Sequence, residues 1–500
     1  MKSNNTIHIQ RLDNGIPVIN INNTFHHSVL ISWFINCGSL YDPIDRQGLA
    51  HFVEHMLFKG TKQHPSPLQL NITLDKYGAY SNAHTSQERT WYEVHIDAEF
   101  WEKGLETISE MMFDSIFPEK EITPEKEVVV HEIQLDDRNP KDILLQDSGA
   151  WVWSGTPYAR PIGGTPDSVR SIQINDVLRF LGQYYQPHRM CLIIVGALPS
   201  QKKTNEIIKK YVDRKWENTV LGRARDSLSL LGNPQSSTMS VMNEPIWWPV
   251  KNQRKITNEN FNEHVNLYRI GNNPIVINGN IEHPGFPGPA IQYIPYENDS
   301  EQIYIKIDFP VVDTTNEQTI NLAQWLQSYL SDGMGSTLFV ELREKRGLTY
   351  SVKTFLDSVN TIGIGTFSIM TSTNTNFKNV SQVITCIFDE LNKLKTRKLP
   401  AKITKFYRQM TQGKQKLSAE DHSAWIQLLA DIFFRQGFYG LTNLDIDANQ
   451  NDWKLTQPTP LKEISKVWFD TQSTWITIVG PPKYASTKYL HKLAKLIINK

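Results

Sequence analysis

Apolar and polar positions along this chain follow two periods, and the switches between them outline its elements. Near the start, Ile7-His-Ile-Gln-Arg-Leu12 reads as a strand. Arg11-Leu-Asp-Asn-Gly-Ile-Pro-Val-Ile19 carries it into a hairpin, with Asn14-Gly15 as the tight turn. Ser28 to Asn36 and Thr90 to Asp97 are further predicted strands, and the apolar run Met190 to Gly196 is a buried one. Helices are predicted around 99–113 and 123–136, over Ile174–Tyr185, and in a stretch that opens near Gly48. For the 123–136 helix, Thr123 is the expected N-cap and Pro124 suits the first helical position.

The pattern repeats. Asn175-Asp-Val-Leu-Arg-Phe-Leu-Gly-Gln-Tyr-Tyr precedes Cys191-Leu-Ile-Ile-Val-Gly196, as Leu461-Lys-Glu-Ile-Ser-Lys-Val-Trp-Phe precedes Trp475-Ile-Thr-Ile-Val-Gly480. Each pair is a helix and then an apolar strand ending in Val-Gly. Upstream, Val29 to Ile35 has its counterpart in Ile303 to Phe309. The chain is therefore expected to be a duplicated α+β protein, with mostly antiparallel sheets packed against helices. Expected domains are 1–215, a connecting insertion over 216–288, and 289–500. The insertion holds Trp247-Trp248-Pro249 and most of His283-Pro-Gly-Phe-Pro-Gly-Pro289, and reads as a surface excursion, with a lid or partner contact as the sharper alternative.

Composition narrows the classes. Five hundred residues are too many for one core. The formal net charge of zero implies no polyanionic partner such as nucleic acid. A mean hydropathy of −0.41, with no long apolar run, excludes an ordinary membrane span. No signal or transit segment is evident at the start, so the expected location is cytoplasmic. Cys37, Cys191 and Cys386 are scattered through apolar surroundings and read as buried, reduced thiols.

Chemistry concentrates at His51-Phe-Val-Glu-His55. On a helix, residues i, i+3 and i+4 share a face, so both imidazoles and the Glu54 carboxylate enter one small volume. Two neutral imidazoles can hold zinc, and the carboxylate can take a proton from water at the metal. A catalytic zinc wants a third protein ligand, which another element must supply, and the predicted 123–136 helix carries Glu132. Glu125 stands two turns before it on the same side. His131 points about 100° away from Glu132 and is expected to miss the metal. Isolated histidines such as His95, His188 and His422 default to structural roles. Asp332-Gly-Met-Gly-Ser336 lacks the Gly-Lys-Ser/Thr that grips phosphate and is not read as a nucleotide site.

These residues resemble the M16 (pitrilysin) family of zinc metallopeptidases, the inverzincins, which carry the inverted H-x-x-E-H motif. Glu132 lies 77 residues beyond His55, and Glu125 seven before Glu132, as in that family. The segment Gly48 to Thr61 resembles the family's motif block nearly throughout. Ser81-Asn-Ala-His-Thr-Ser86 resembles its substrate-pairing edge strand, although His84 stands where the family has an aromatic. Tyr158 to Thr165 and Leu342 to Tyr350 resemble two further family segments.

The resemblance implies that His51, His55 and Glu132 bind one Zn2+ per chain, with Glu54 as general base and Glu125 supporting the site. It implies that Asn82 and Ala83 bind substrate backbone, and that Arg343 and Tyr350 hold substrate. It implies a peptide substrate cleaved inside a clamshell of which this chain is half. The other half is then a second copy or a related subunit, in a homodimer or heterodimer. Peptide processing, leader-peptide removal and peptide clearance all fit. The competing reading is a non-catalytic core or partner subunit, a role that intact His51, Glu54, His55 and Glu132 oppose. A third is a metal hydrolase acting on a non-peptide substrate.

Overall fold

A computed structural model describes residues 7–23, 26–154, 156–228, 275–277, 280–282, 290–296, 302–359, 363–418, 420–442 and 456–498. They form two compact units, each drawn from separated stretches of chain. The first comprises 1–135, 160–248 and 417–446, the second 136–159, 249–416 and 447–500. The units are thus discontinuous, unlike the contiguous halves expected. The expected insertion is also narrower among the described residues. Trp216, Leu221 and Ala224 join the core of the first unit, and strands within 275–282 extend the sheet of the second. Trp247-Trp248-Pro249 and the Pro/Gly-rich 283–289 run lie outside the described residues.

Among the described residues of the first unit, six strands are ordered β1-β2-β6-β3-β5-β4: β1 Ile7–Arg11, β2 Pro17–Asn22, β3 Ser28–Ile35, β4 Tyr80–Thr85, β5 Thr90–Asp97 and β6 Met190–Gly196. Only β2 and β6 run parallel. Gly15, at φ +89°, closes the β1–β2 hairpin, and Arg11 pairs with Pro17. Alternate residues of β3 serve two cores. Val29, Ile31, Trp33 and Ile35 pack with the apolar faces of helices Leu49–Leu57, Trp101–Asp114 and Ile174–Tyr184. Leu30 and Phe34, with Ile193 and Val195 of β6, pack on Trp425, Ile426 and Leu429 of helix His422–Thr442.

Among the described residues the second unit has seven strands, ordered β11-β12-β10-β13-β9-β7-β8: β7 Ile275–Ile277, β8 Asn280–Glu282, β9 Ala290–Pro295, β10 Gln302–Val312, β11 Val352–Val359, β12 Ile364–Asn374 and β13 Trp475–Gly480. The run β9-β13-β10-β12-β11 repeats the pairing of β2-β6-β3-β5-β4, with its one parallel pair in the same place. This is the internal duplication expected from the sequence. Ile303, Ile305, Ile307 and Phe309 face a core with helices Glu317–Leu330, Phe377–Thr396 and Pro458–Trp468. Helix Pro140–Val152 packs on β10 and β13. Each sheet is therefore covered by a helix contributed from the other half of the sequence.

The glutamate-bearing helix starts earlier than predicted, at Glu119, and runs to Asp136 with Pro124 inside it. Pro118 sets the start, after Phe117 at φ +44°, and Glu119 and Glu121 suit the positive end of the helix dipole. Pro124, the sixth helical residue, lacks the N–H that would bond the Lys120 carbonyl, so the helix runs through this position one backbone bond short.

Candidate metal centre

The motif helix Leu49–Leu57 buries Leu49, Ala50, Phe52, Val53, Met56 and Leu57. The remaining face carries half-buried His51 and His55 and the buried Glu54. Gly48 precedes the helix at φ +87° and offers no side-chain cap. Asp42 caps it from a distance: its carboxylate accepts from Gly48 N–H (2.7 Å) and Ala50 N–H (2.8 Å). Arg160 Nη1 donates to the Asp42 carbonyl at 2.9 Å. A Cβ at Gly48 would stand 2.4 Å from the Gly163 carbonyl oxygen, so only glycine permits this approach of two backbones.

The nitrogens converge. His51 Nε2 and His55 Nε2 are 3.3 Å apart, with ring planes at 82°. Glu132 Oε2 lies 3.5 Å from His55 Nε2 and 3.9 Å from His51 Nε2. Donors held tetrahedrally about 2.0–2.1 Å from zinc stand about 3.3–3.5 Å apart; the 3.3 and 3.5 Å spacings match that ion, and the 3.9 Å from Glu132 to His51 is somewhat wider. Among the described residues, His51, His55 and Glu132 are the one group of three such side chains close enough for a metal. His131 is exposed and outside the group.

Behind the triad, Glu125 Oε1 is 2.8 Å from His55 Nδ1, and Lys59 pairs with the other Glu125 oxygen. A neutral His55 therefore carries its proton on Nδ1 and turns the Nε2 lone pair towards the triad. His51 Nδ1 is buried with no hydrogen-bond partner among the described residues.

Electrostatics point the same way. Burial, with the charge of His55 second, pushes His51 down to about 4, so it stays neutral and free to donate a lone pair. Burial also acts to lower His55, but hydrogen bonds to Glu125 and Glu132 and the charge of Glu54 outweigh it and raise His55 to about 9. The carboxylates thus hold a proton where a cation would fit, and a metal would displace it. Glu132 is held below the usual carboxylate range by its bond to His55. Burial raises Glu54, against the Thr85 hydroxyl that donates to it at 2.5 Å. A buried carboxylate with a raised affinity for the proton, beside the metal donors, is suited to act as a base.

Strand β4 is one of the two edges of the sheet, bonded among the described residues only to β5. Ala83 is buried, and Thr85, two residues on, reaches Glu54 from the same side. Asn82 points the other way, donating to Tyr80 Oη at 3.0 Å, near His84, whose ring packs at a tilt against Trp91. Arg343 and Tyr350 belong to the second unit and meet each other there. Arg343 lies in a π-helical turn, Phe339–Glu344, donates to the Tyr350 carbonyl at 3.1 Å, and has its guanidinium 4.8 Å from the centre of the Tyr350 ring. The Tyr350 ring is exposed.

Three contacts escaped the sequence reading: Lys59 on Glu125, Thr85 on Glu54, and Asp42 at the helix start. Lys59 had a signal, one turn past His55. Asp42 had none, because a cap six residues from the amide it serves has no periodic signature.

Fold and site define a duplicated α+β protein whose first unit carries a cluster of metal donors beside a buried carboxylate. The chain matches the model of the insulinase family, peptidase family M16, over residues 17–166, and that of the peptidase M16 inactive domain over 171–410. It belongs to peptidase family M16. An "uncharacterized zinc protease" of Rickettsia felis is 26% identical over 373 residues, covering 75% of this chain and 74% of that one. The rat mitochondrial-processing peptidase subunit beta is 30% identical over 187 residues, 37% of this chain and 38% of that one. The crystal structure of a protease from Helicobacter pylori shares the fold at a TM-score of 0.70 and 18% identity, covering 95% of this chain and 100% of that one. Among the described residues, no helix is long and apolar enough to cross a membrane.

Proposed function

We propose that this chain is a zinc endopeptidase that cleaves peptides or unfolded segments. The observation that carries the reading is the convergence of His51, His55 and Glu132 with Glu54 alongside. Zinc held by the first three would polarise the scissile carbonyl and make water more acidic. Glu54 accepts the proton of the attacking water and later delivers one to the leaving amine. Glu125 orients His55 through Nδ1. The free edge of β4 takes the peptide as an added strand, with Asn82 and Ala83 offering backbone bonds, so recognition rests on main chain more than side chain. Arg343 and Tyr350 hold a substrate carbonyl.

The working unit is a dimer, of two copies or with a related subunit, enclosing the substrate between them. The rat relative's name, a processing-peptidase subunit, supports a paired assembly, and leader-peptide removal is one use of it. A non-catalytic role is disfavoured because the donors and the base are all present and face one another. The test is a quenched peptide library incubated with the zinc-loaded chain, with and without chelator, beside Glu54→Gln. Cleavage that requires both metal and Glu54 is expected. A zinc-loaded chain that cleaves no peptide, or cleaves equally well as Glu54→Gln, overturns the reading.

A further inference from the structure

Lys59 sits just past the end of the motif helix, one turn beyond His55, with a side chain only 18% exposed. Its ammonium meets one oxygen of Glu125, whose other oxygen lies 2.8 Å from His55 Nδ1. Glu125 is itself 7% exposed, so each of its oxygens has one partner and little water. We infer that Lys59 is a positioning residue for the metal centre, acting on His55 through Glu125. This inference rests on the zinc reading above.

Two consequences follow from the geometry. A carboxylate anchored at one oxygen cannot swing, so the other oxygen fixes the His55 ring and keeps its proton on Nδ1. Glu125 also stands on the same helix as Glu132, seven residues before it. The ion pair keeps Glu125 turned to His55 rather than free to compete as a ligand. With a divalent cation in the triad and the imidazoles neutral, the three carboxylates of Glu54, Glu125 and Glu132 balance the cation and Lys59 together.

The sign of one measurement separates positioning from mere charge. A lysine that were only a nearby positive charge would repel the metal, and removing it would tighten binding. A lysine that positions the ligand loosens binding when removed. Zinc affinity is read on the full chain by competition with a chromophoric chelator, for wild type, Lys59→Met, Lys59→Arg, Glu125→Gln and Lys59→Met/Glu125→Gln, with thermal melts of the metal-free chains confirming that each is folded. Lys59→Gln takes the place of Lys59→Met should the latter not fold. Lys59→Met is expected to bind zinc about 10-fold more weakly or worse, the scale of a lost outer partner. Lys59→Arg, which keeps the ion pair, is expected to recover most of the affinity. In the Glu125→Gln background, removing Lys59 is expected to cost little more, because the two act as one unit. Unchanged or tighter binding by Lys59→Met, no recovery by Lys59→Arg, or an equal loss in both backgrounds overturns the inference. A wild-type chain that takes up no zinc ends the proposed function instead, which is a distinct result.

Discussion

The Thr85 hydroxyl, at the end of the sheet's open edge strand, donates to the carboxylate of Glu54 at 2.5 Å. The residue proposed to accept the proton is thus bonded to the strand proposed to receive the substrate. The bond also opposes the upward push of burial on Glu54, since it favours the charged form. Removing it in Thr85→Val is expected to raise Glu54 further. The base is then protonated at higher pH, and the acid limb of the kcat/KM profile moves to higher pH. Thr85→Ser is expected to retain the wild-type limb. An unshifted limb in Thr85→Val would separate Thr85 from the base.

Glu54→Gln keeps the shape of the helix and leaves the triad intact but removes the proton acceptor. Hydrolysis is expected to fall by about 10²-fold or more, the scale of general-base catalysis, with zinc content unchanged. Turnover and metal content measured on the same preparation check this. Near-normal turnover with a full complement of zinc would take the base assignment away from Glu54.

The two glutamates of helix Glu119–Asp136 are expected to separate by function. Glu132 approaches both imidazoles, whereas Glu125 reaches only the far side of His55. Glu132→Gln is expected to lose zinc on dialysis. Glu125→Gln is expected to weaken zinc by about 10–100-fold and keep it when zinc is in excess. Equal retention by both variants would mean that Glu132 is not the third ligand.

Acid should loosen the first unit at His422. Its ring is buried at the start of helix His422–Thr442, with centroids 4.1 Å from His26 and 5.5 Å from His95, and its Nε2 has no hydrogen-bond partner among the described residues. Burial, then the charges of His26 and His95, lower it to about 4 against the pull of Asp421. A folded value below the ordinary 6.5 means that the unfolded chain binds the proton better. The stability that neutral His422 provides is present above about 6.5 and is lost as pH falls towards about 4. Thermal midpoints at pH 7.5 and 5 should therefore fall less for His422→Gln than for the wild type. Equal falls would show that His422 is not the group that titrates.

How much of this was legible in the sequence depended on whether a feature is local. The motif face of His51, Glu54 and His55 follows from helical spacing alone, and the duplication shows in repeated helix-and-strand pairs. Glu132 needed the family's spacing to single it out. The discontinuous units could not be read, because nothing in the local pattern of 140–152 or 422–442 says which sheet it will cover. Trp425, Ile426 and Leu429 form an ordinary amphipathic face; only the tertiary fold assigns them to Leu30 and Phe34. The start of the glutamate helix was misjudged because Thr123-Pro124 is a good cap signal that lost to Pro118 and the acidic turn after it.

The proposed dimer makes a prediction that involves both units. Suppose Arg343 serves the metal centre of the partner chain. Glu54→Gln alone lacks the base at both sites, and Arg343→Ala alone lacks the arginine at both, so each homodimer is expected to be nearly inactive. In a mixed dimer, the Arg343→Ala chain keeps an intact metal centre, and the Glu54→Gln chain brings it an intact Arg343. One of the two sites is then complete. Refolding the variants together is expected to restore activity, up to about half of wild type per mixed dimer because one site in two is whole. If Arg343 served its own chain, every site in the mixture would stay defective. Activity that fails to return, with mixed dimers confirmed by native mass, would rule out sharing across the interface and leave Arg343 in cis or outside the site.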